Sequence, residues 1–269
     1  MDIVKHIKEQ YSIDECFTYL KENGVNIDNT RFSKSKALLG KNTYDYEEVW
    51  KLSELADLSE VVHYLKEIDI PQDTLIDIVS GPEEISGERK KNKKGKIIGN
   101  TRARDKFHEY KVKARLKKAG FTVDESHKGN DARVILADDD FYIECKRVGS
   151  EAKIRERFNK AFEQLGDNAS KGIIAIDISK IVYKMFLNDV ETFQKMASPS
   201  LKTFLDNFMT EYLVRAHKEQ VDVVCATMIH SRFPIFAPGQ YPLINHFCVL
   251  HNESVLGKSL LSRLESSVG

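Results

Sequence analysis

Apolar residues fall at helical spacing through the first third of the chain. Ser12-Ile-Asp-Glu15 reads as a capping box that opens a helix through Phe17, Leu20 and Lys21, which Gly24 stops. Tyr46, Val49, Trp50 and Leu52 predict a helix over 44–56, with Trp50 as a core anchor. Val61, Val62 and Leu65 predict another over 58–68. Pro71 starts one carrying Leu75, Ile76 and Ile78, and Ser80-Gly81-Pro82 ends it. After residue 104 the period alternates between helical and extended. Phe107, Tyr110, Ala114 and Leu116 predict a helix over 105–119, closed by Gly120, and Phe121-Thr-Val123 begins a strand. The stretch 129–148 reads as a β-hairpin. Its strands are Val134-Ile135-Leu136 and Phe141-Tyr142-Ile143, and its turn is Asp138-Asp139-Asp140. Ile154, Phe158, Ala161, Phe162 and Leu165 predict a helix over 151–165, and the apolar run 173–178 a buried strand. A helix over 201–217, strands over 221–229 and 243–250, and a last helix over 259–264 complete the pattern.

Charge patterning divides the chain. Residues 1–86 carry an acidic excess that includes Asp45, Glu47, Glu48, Glu54, Asp57 and Glu60. This suits a helical domain for partner binding or self-association better than one that reads DNA. Residues 87–103 form a basic linker: Arg89, Lys90, Lys91, Lys93, Lys94, Lys96 and Arg102, with Arg104 just beyond, crowd into a stretch with few apolar residues. That run is either a solvated connector or a contact to a phosphate backbone. Residues 104–269 form the third region.

The 269 residues are 41% hydrophobic with a formal net charge of +0, so any affinity for a polyanion must come from a local patch. The four cysteines, Cys16, Cys145, Cys225 and Cys248, form no pair at zinc-ligand spacing, and scattered thiols suit a reducing cytoplasm. No apolar run reaches membrane-spanning length, no signal-peptide pattern is visible, and no glycine-rich phosphate loop points to an NTPase. His217, His230, His246 and His251 share no metal-ligand spacing and are expected to be core or surface histidines.

The hairpin concentrates the chemistry. Alternation puts Glu144 and Lys146 on one face and Cys145 on the other. Folding about Asp139 brings Asp131 opposite Lys146. Two carboxylates can hold Mg²⁺, which prefers oxygen ligands and keeps several waters. The backbone carbonyl of Cys145 is a third candidate ligand, and Lys146 can orient or deprotonate an attacking water. Acid-x-Lys triplets also occur at Glu88, Glu109 and Glu151, but only Glu144 lies on an apolar strand with an acid at the base of the hairpin.

Asp131 followed by Glu144-Cys145-Lys146 resembles the PD-(D/E)XK nuclease superfamily, with Asn130 where the family name has Pro. The order helix, three strands, helix, strand over about 104–179 resembles its core. The resemblance implies an α/β (α+β) fold, a restriction-endonuclease-like mixed sheet flanked by helices, beside an all-α N-terminal region. It implies a Mg²⁺-dependent nuclease acting on DNA, with Mn²⁺ as a substitute, and Asp131, Glu144 and Lys146 as its catalytic residues. Glu109, about three turns before Gly120, then contacts the metal directly or through water, and Gln164 lies near the site. Asp177 reads as a strand-end charge sooner than as a site residue. Restriction or antiviral defence with a helicase or sensor partner is the expected setting. A catalytically idle binding module and an RNA-directed nuclease are the alternatives.

Overall fold

A computed structural model describes residues 12–41, 44–66, 70–82, 85, 93–94, 101–124, 129–136, 139–188, 203, 206–208, 210–219, 224–234, 243–251, 258 and 262–263. The chain packs as two compact units, Met1–Ala114 and Arg115–Gly269.

The first unit is helical among its described residues: α1 (Ile13–Glu22), α2 (Ser33–Leu38), α3 (Tyr46–Leu65), α4 (Gln72–Val79) and the part of α5 (Arg102–Lys118) that ends at Ala114. Ser12 caps α1 by accepting the Glu15 N–H at 3.1 Å. The full reciprocal capping box lies elsewhere: Asp45 accepts from the Glu48 N–H, and the Glu48 carboxylate accepts from the Asp45 N–H. The two helices expected over 44–56 and 58–68 are one continuous helix, α3. No glycine or proline interrupts it, and the polar residues that suggested a break are interior groups. Glu54, Asp57 and Glu60 are buried together with Trp50, Leu52, Leu55, Leu58 and Leu65, so α3 is enclosed on nearly every side.

Counter-ions make that burial tolerable. Arg104 of α5 grips Glu54 with two hydrogen bonds, of 2.9 and 3.1 Å, and Lys111 reaches Asp57 at 3.1 Å. Arg31 stacks over Phe32 and Phe107 at 4.4 and 5.1 Å, with its guanidinium donating to the carbonyls of Ile78 and Ser80. The acidic excess read from composition is thus partly internal. Arg102 and Arg104, counted with the basic run, belong to α5, where Arg102 pairs with Asp77 at 2.7 Å.

The second unit is built on a mixed six-stranded sheet whose spatial order is the chain order: β1 (Thr122–Asp124), β2 (Ala132–Leu136), β3 (Asp139–Arg147), β4 (Gly172–Asp177), β5 (Val224–Pro234) and β6 (Leu243–His251). Strands β1 to β3 form an antiparallel meander. β3, β4 and β5 run parallel, and β6 returns antiparallel. The sheet is entered through a Schellman turn. Gly120, at φ 81°, lets the Phe121 N–H donate to the Leu116 carbonyl at 3.1 Å and its own N–H to Lys117 at 2.9 Å.

Parallel neighbours need crossovers, and α6 (Ile154–Leu165) and α7 (Ser179–Asn188) supply them. Sheet growth in one direction with crossovers of one hand puts both helices on the same face. Ile154, Phe158, Ala161 and Leu165 of α6 and Ile181 and Val182 of α7 pack with Ile174 and Ile176 there. The helix expected over 201–217 includes a five-residue π-helical stretch, Thr210–Val214, followed by α8 (Arg215–Lys218). The helix expected over 259–264 lies mostly outside the described residues. No helix among the described residues is long and apolar enough to cross a membrane.

Candidate active site

The hairpin forms with a shifted register. Leu136 pairs with Asp139 and Ala132 with Ile143, so Asp139 and Asp140 are strand residues rather than turn residues. Arg133 supplies the reason. It faces Asp124 on β1, with which it forms a close ion pair, and it reaches Asp140 on β3 at 3.4 Å. These bonds raise the guanidinium above its ordinary pKa, led by the hydrogen bond to Asp124. One arginine therefore ties three strands and keeps Asp140 in the ladder.

That register corrects the position of Asp131. One residue outside the Ala132–Ile143 pair, it stands level with Glu144 rather than Lys146. Its N–H donates to the Ile143 carbonyl at 3.0 Å, and its Oδ2 accepts the Cys145 N–H at 2.8 Å. The side chain thus supplies an extra rung after the regular ladder ends, and the carboxylate is held at the hairpin base.

Glu144 and Lys146 share the face covered by α6 and α7, in register with Ile174 and Ile176 of β4. Lys146 Nζ donates to Glu144 Oε2 at 2.9 Å and to the Cys145 carbonyl at 3.1 Å. The Glu144 side chain is 1% exposed and that of Lys146 13%, so the carboxylate lies on an apolar floor with the ammonium above it. The two oxygens proposed as metal ligands on this strand converge on a single cationic centre, which is here the ammonium. Asp131, half-buried, adds a third oxygen-bearing group at the same end of the hairpin. The donor set is all oxygen, the chemistry that a hard divalent cation prefers.

Glu109 is half-buried on α5 in the first unit and forms a close ion pair with Lys106, one turn earlier. Gln164 is exposed on the last turn of α6. Lys93 and Lys94 are exposed in a turn, while Arg89, Lys90, Lys91 and Lys96 lie outside the described residues.

A second polar cluster, on the opposite face of the sheet, escaped the sequence reading except for Asp177. Register aligns Arg147, Asp177 and His230 across the three parallel strands. Asp177 Oδ2 accepts from Arg147 Nε at 3.2 Å, its Oδ1 accepts the Ser179 N–H at 2.8 Å, and His230 Nδ1 lies 3.4 Å from Oδ1. Asp177 is more than a strand-end charge, because it ties β3, β5 and the start of α7 together. His217 is buried and pairs with Thr227 at 2.9 Å, as expected of a core histidine, and His230 is buried beside Asp177. Nothing local in the sequence aligns Arg147 with His230; only the strand order does.

No family model, no curated protein and no solved structure matches this chain.

Proposed function

We propose that the chain is a Mg²⁺-dependent nuclease that hydrolyses phosphodiester bonds of DNA. The observation that carries this reading is the convergence of Glu144 Oε2 and the Cys145 carbonyl on one cationic centre, with Asp131 fixed by Cys145 at the same hairpin end. The resemblance of Asp131 and Glu144-Cys145-Lys146 to the PD-(D/E)XK pattern supports it, as does the run of α5, β1, β2, β3, α6 and β4 along the chain.

Asp131, Glu144 and the Cys145 carbonyl would hold the ion. When bound, Mg²⁺ would screen the phosphate charge and acidify a water. Lys146 would hold the attacking water through its N–H donors and place positive charge beside the phosphate. Such positioning acts mainly in the transition state, so its loss lowers turnover more than binding. A free nuclease endangers its own genome, which favours a gated role in restriction or antiviral defence. The helical first unit is the candidate surface for a helicase or sensor partner.

The burial of Glu144 beneath Lys146 favours a second reading, an idle nuclease-fold binding module, in which the pair is purely structural.

The full chain incubated with plasmid, linear duplex, single-stranded DNA and RNA, each with Mg²⁺, Mn²⁺ or EDTA, separates the two readings. Lys146→Ala is expected to bind DNA nearly as well as the unaltered chain and to cut on the order of a hundredfold more slowly. Cutting at the unaltered rate would remove Lys146 from the mechanism. Binding without cutting by the unaltered chain would establish the idle module. Calorimetric titration with Mn²⁺ is expected to show weaker binding to Glu144→Ala; equal affinity would remove Glu144 from the ligand set.

A further inference from the structure

Lys146 engages two oxygens at once. Its Nζ donates to Glu144 Oε2 at 2.9 Å and to the Cys145 carbonyl at 3.1 Å. The same two oxygens are the candidate ligands that β3 offers to a divalent ion, and the two uses exclude each other. Mg²⁺ binds oxygen at about 2.0–2.1 Å, so an ion on Glu144 Oε2 would stand at most about 5 Å from the ammonium. Two cations that close repel strongly where little water screens them. Water is scarce here, because the Glu144 side chain is 1% exposed and that of Lys146 13%. The floor is apolar. Ile174 and Ile176 of β4 stand in register with Glu144 and Lys146, and both are fully buried.

The partners in this contact differ in how readily they move. The oxygens belong to a fixed strand. The Cys145 N–H is pinned to Asp131 Oδ2 at 2.8 Å, and Glu144, Cys145 and Lys146 are all paired with β4. The ammonium sits on a flexible four-carbon stem and has the more open position of the pair. When the two cations compete, the ammonium therefore moves and the oxygens stay.

We propose that Lys146 gates the site by competing with the divalent ion: its ammonium holds Glu144 and the Cys145 carbonyl in the resting chain and must swing off them before an ion is held there. This rests on the nuclease reading and names how that site is regulated. The apparent affinity for the ion is that of the open site, scaled down by the fraction of molecules in which the ammonium has left. The ammonium keeps its charge as it leaves and becomes available to hold the attacking water. Loading the ion thus also arms the residue that acts with it.

The test is calorimetric titration of the full chain with Mn²⁺, unaltered and as Lys146→Met and Lys146→Arg. Methionine keeps an unbranched stem without the charge, and arginine keeps the charge. Lys146→Met is expected to bind Mn²⁺ at least about tenfold more tightly than the unaltered chain, the scale of one hydrogen bond between charged groups. Lys146→Arg is expected to gain nothing. Melting temperatures confirm that the variants are folded. A second measurement needs no variant: limited reductive methylation of the unaltered chain, read by peptide mass. Lys146 is expected to react slowly without the ion and several-fold faster in saturating Mn²⁺, while Lys218, exposed at the end of α8, keeps one rate.

Equal or weaker Mn²⁺ binding by Lys146→Met, a gain shared by Lys146→Arg, or a Lys146 methylation rate that ignores the ion overturns the gate. If the unaltered chain binds Mn²⁺ in such a case and Glu144→Ala does not, the metal site of the nuclease reading stands without it. If no chain binds Mn²⁺, the gate and the metal-dependent nuclease reading fall together.

Discussion

Cys16 is a thiol locked in its protonated form. It is buried on α1, and burial pushes its pKa up to about 12, with the Ser59 hydroxyl pulling part of the way back. The sign of the linkage follows from the raised value. The folded chain keeps the proton, while the unfolded chain releases it near the ordinary value of 9.0. Its contribution is therefore fully present below about pH 9 and is lost as the pH rises toward 12. Denaturant unfolding at pH 8 and pH 10.5 checks this on the unaltered chain and Cys16→Ala. Between those two pH values the unaltered chain is expected to lose about 1–2 kcal/mol more than the variant. Equal losses would mean that the thiol is solvated in the folded state. For the same reason Cys16 should resist alkylation at neutral pH, since the thiolate is the reactive form.

Helix α3 shows what happens when charged groups are enclosed in pairs. Glu54 meets Arg104 through two hydrogen bonds and has Arg31 Nε at 4.0 Å, with all three side chains buried. Glu54→Ala is expected to cost about 3–5 kcal/mol in denaturant unfolding, because it strands buried positive charge. Adding Arg104→Met should recover part of that loss. A cost below about 1 kcal/mol would show the pair to be open to water. This helix also marks where local reading ends. Its apolar period is plain in the sequence, as are the capping residue Ser12, the stop at Gly120 and the buried run of β4. Asp57 reads as a break because its partner, Lys111, is distant in the chain. The hairpin is similar. Its two strands are legible in Val134–Leu136 and Phe141–Ile143, and so are Asp131, Glu144 and Lys146. The two-residue shift in register is not, because Arg133 sets it by choosing acids on two other strands. Gln164 and Glu109 came from resemblance alone, and no periodicity could say what either side chain touches.

The sheet of the second unit is a meander joined to a parallel set, and these halves differ in how far apart their partners lie along the chain. The β2–β3 pairing joins strands that are adjacent in the chain, whereas β4 and β5 each wait for a crossover before they can pair. Local contacts form faster than those that need long loop closure. Pulse-labelled hydrogen exchange during refolding is expected to protect the amides of Val134 and Ile143 before those of Ile174 and Ile229. Simultaneous protection of all four would refute that order. The same asymmetry matters during synthesis. The hairpin with Asp131, Glu144 and Lys146 can close long before Val224–Pro234 has been made. Until β4 docks, β3 presents an unpaired edge lined by Ile143 and Cys145, the kind of surface through which nascent chains associate wrongly. The speed at which residues 148–177 leave the ribosome and fold thus sets how long each new molecule is exposed to aggregation.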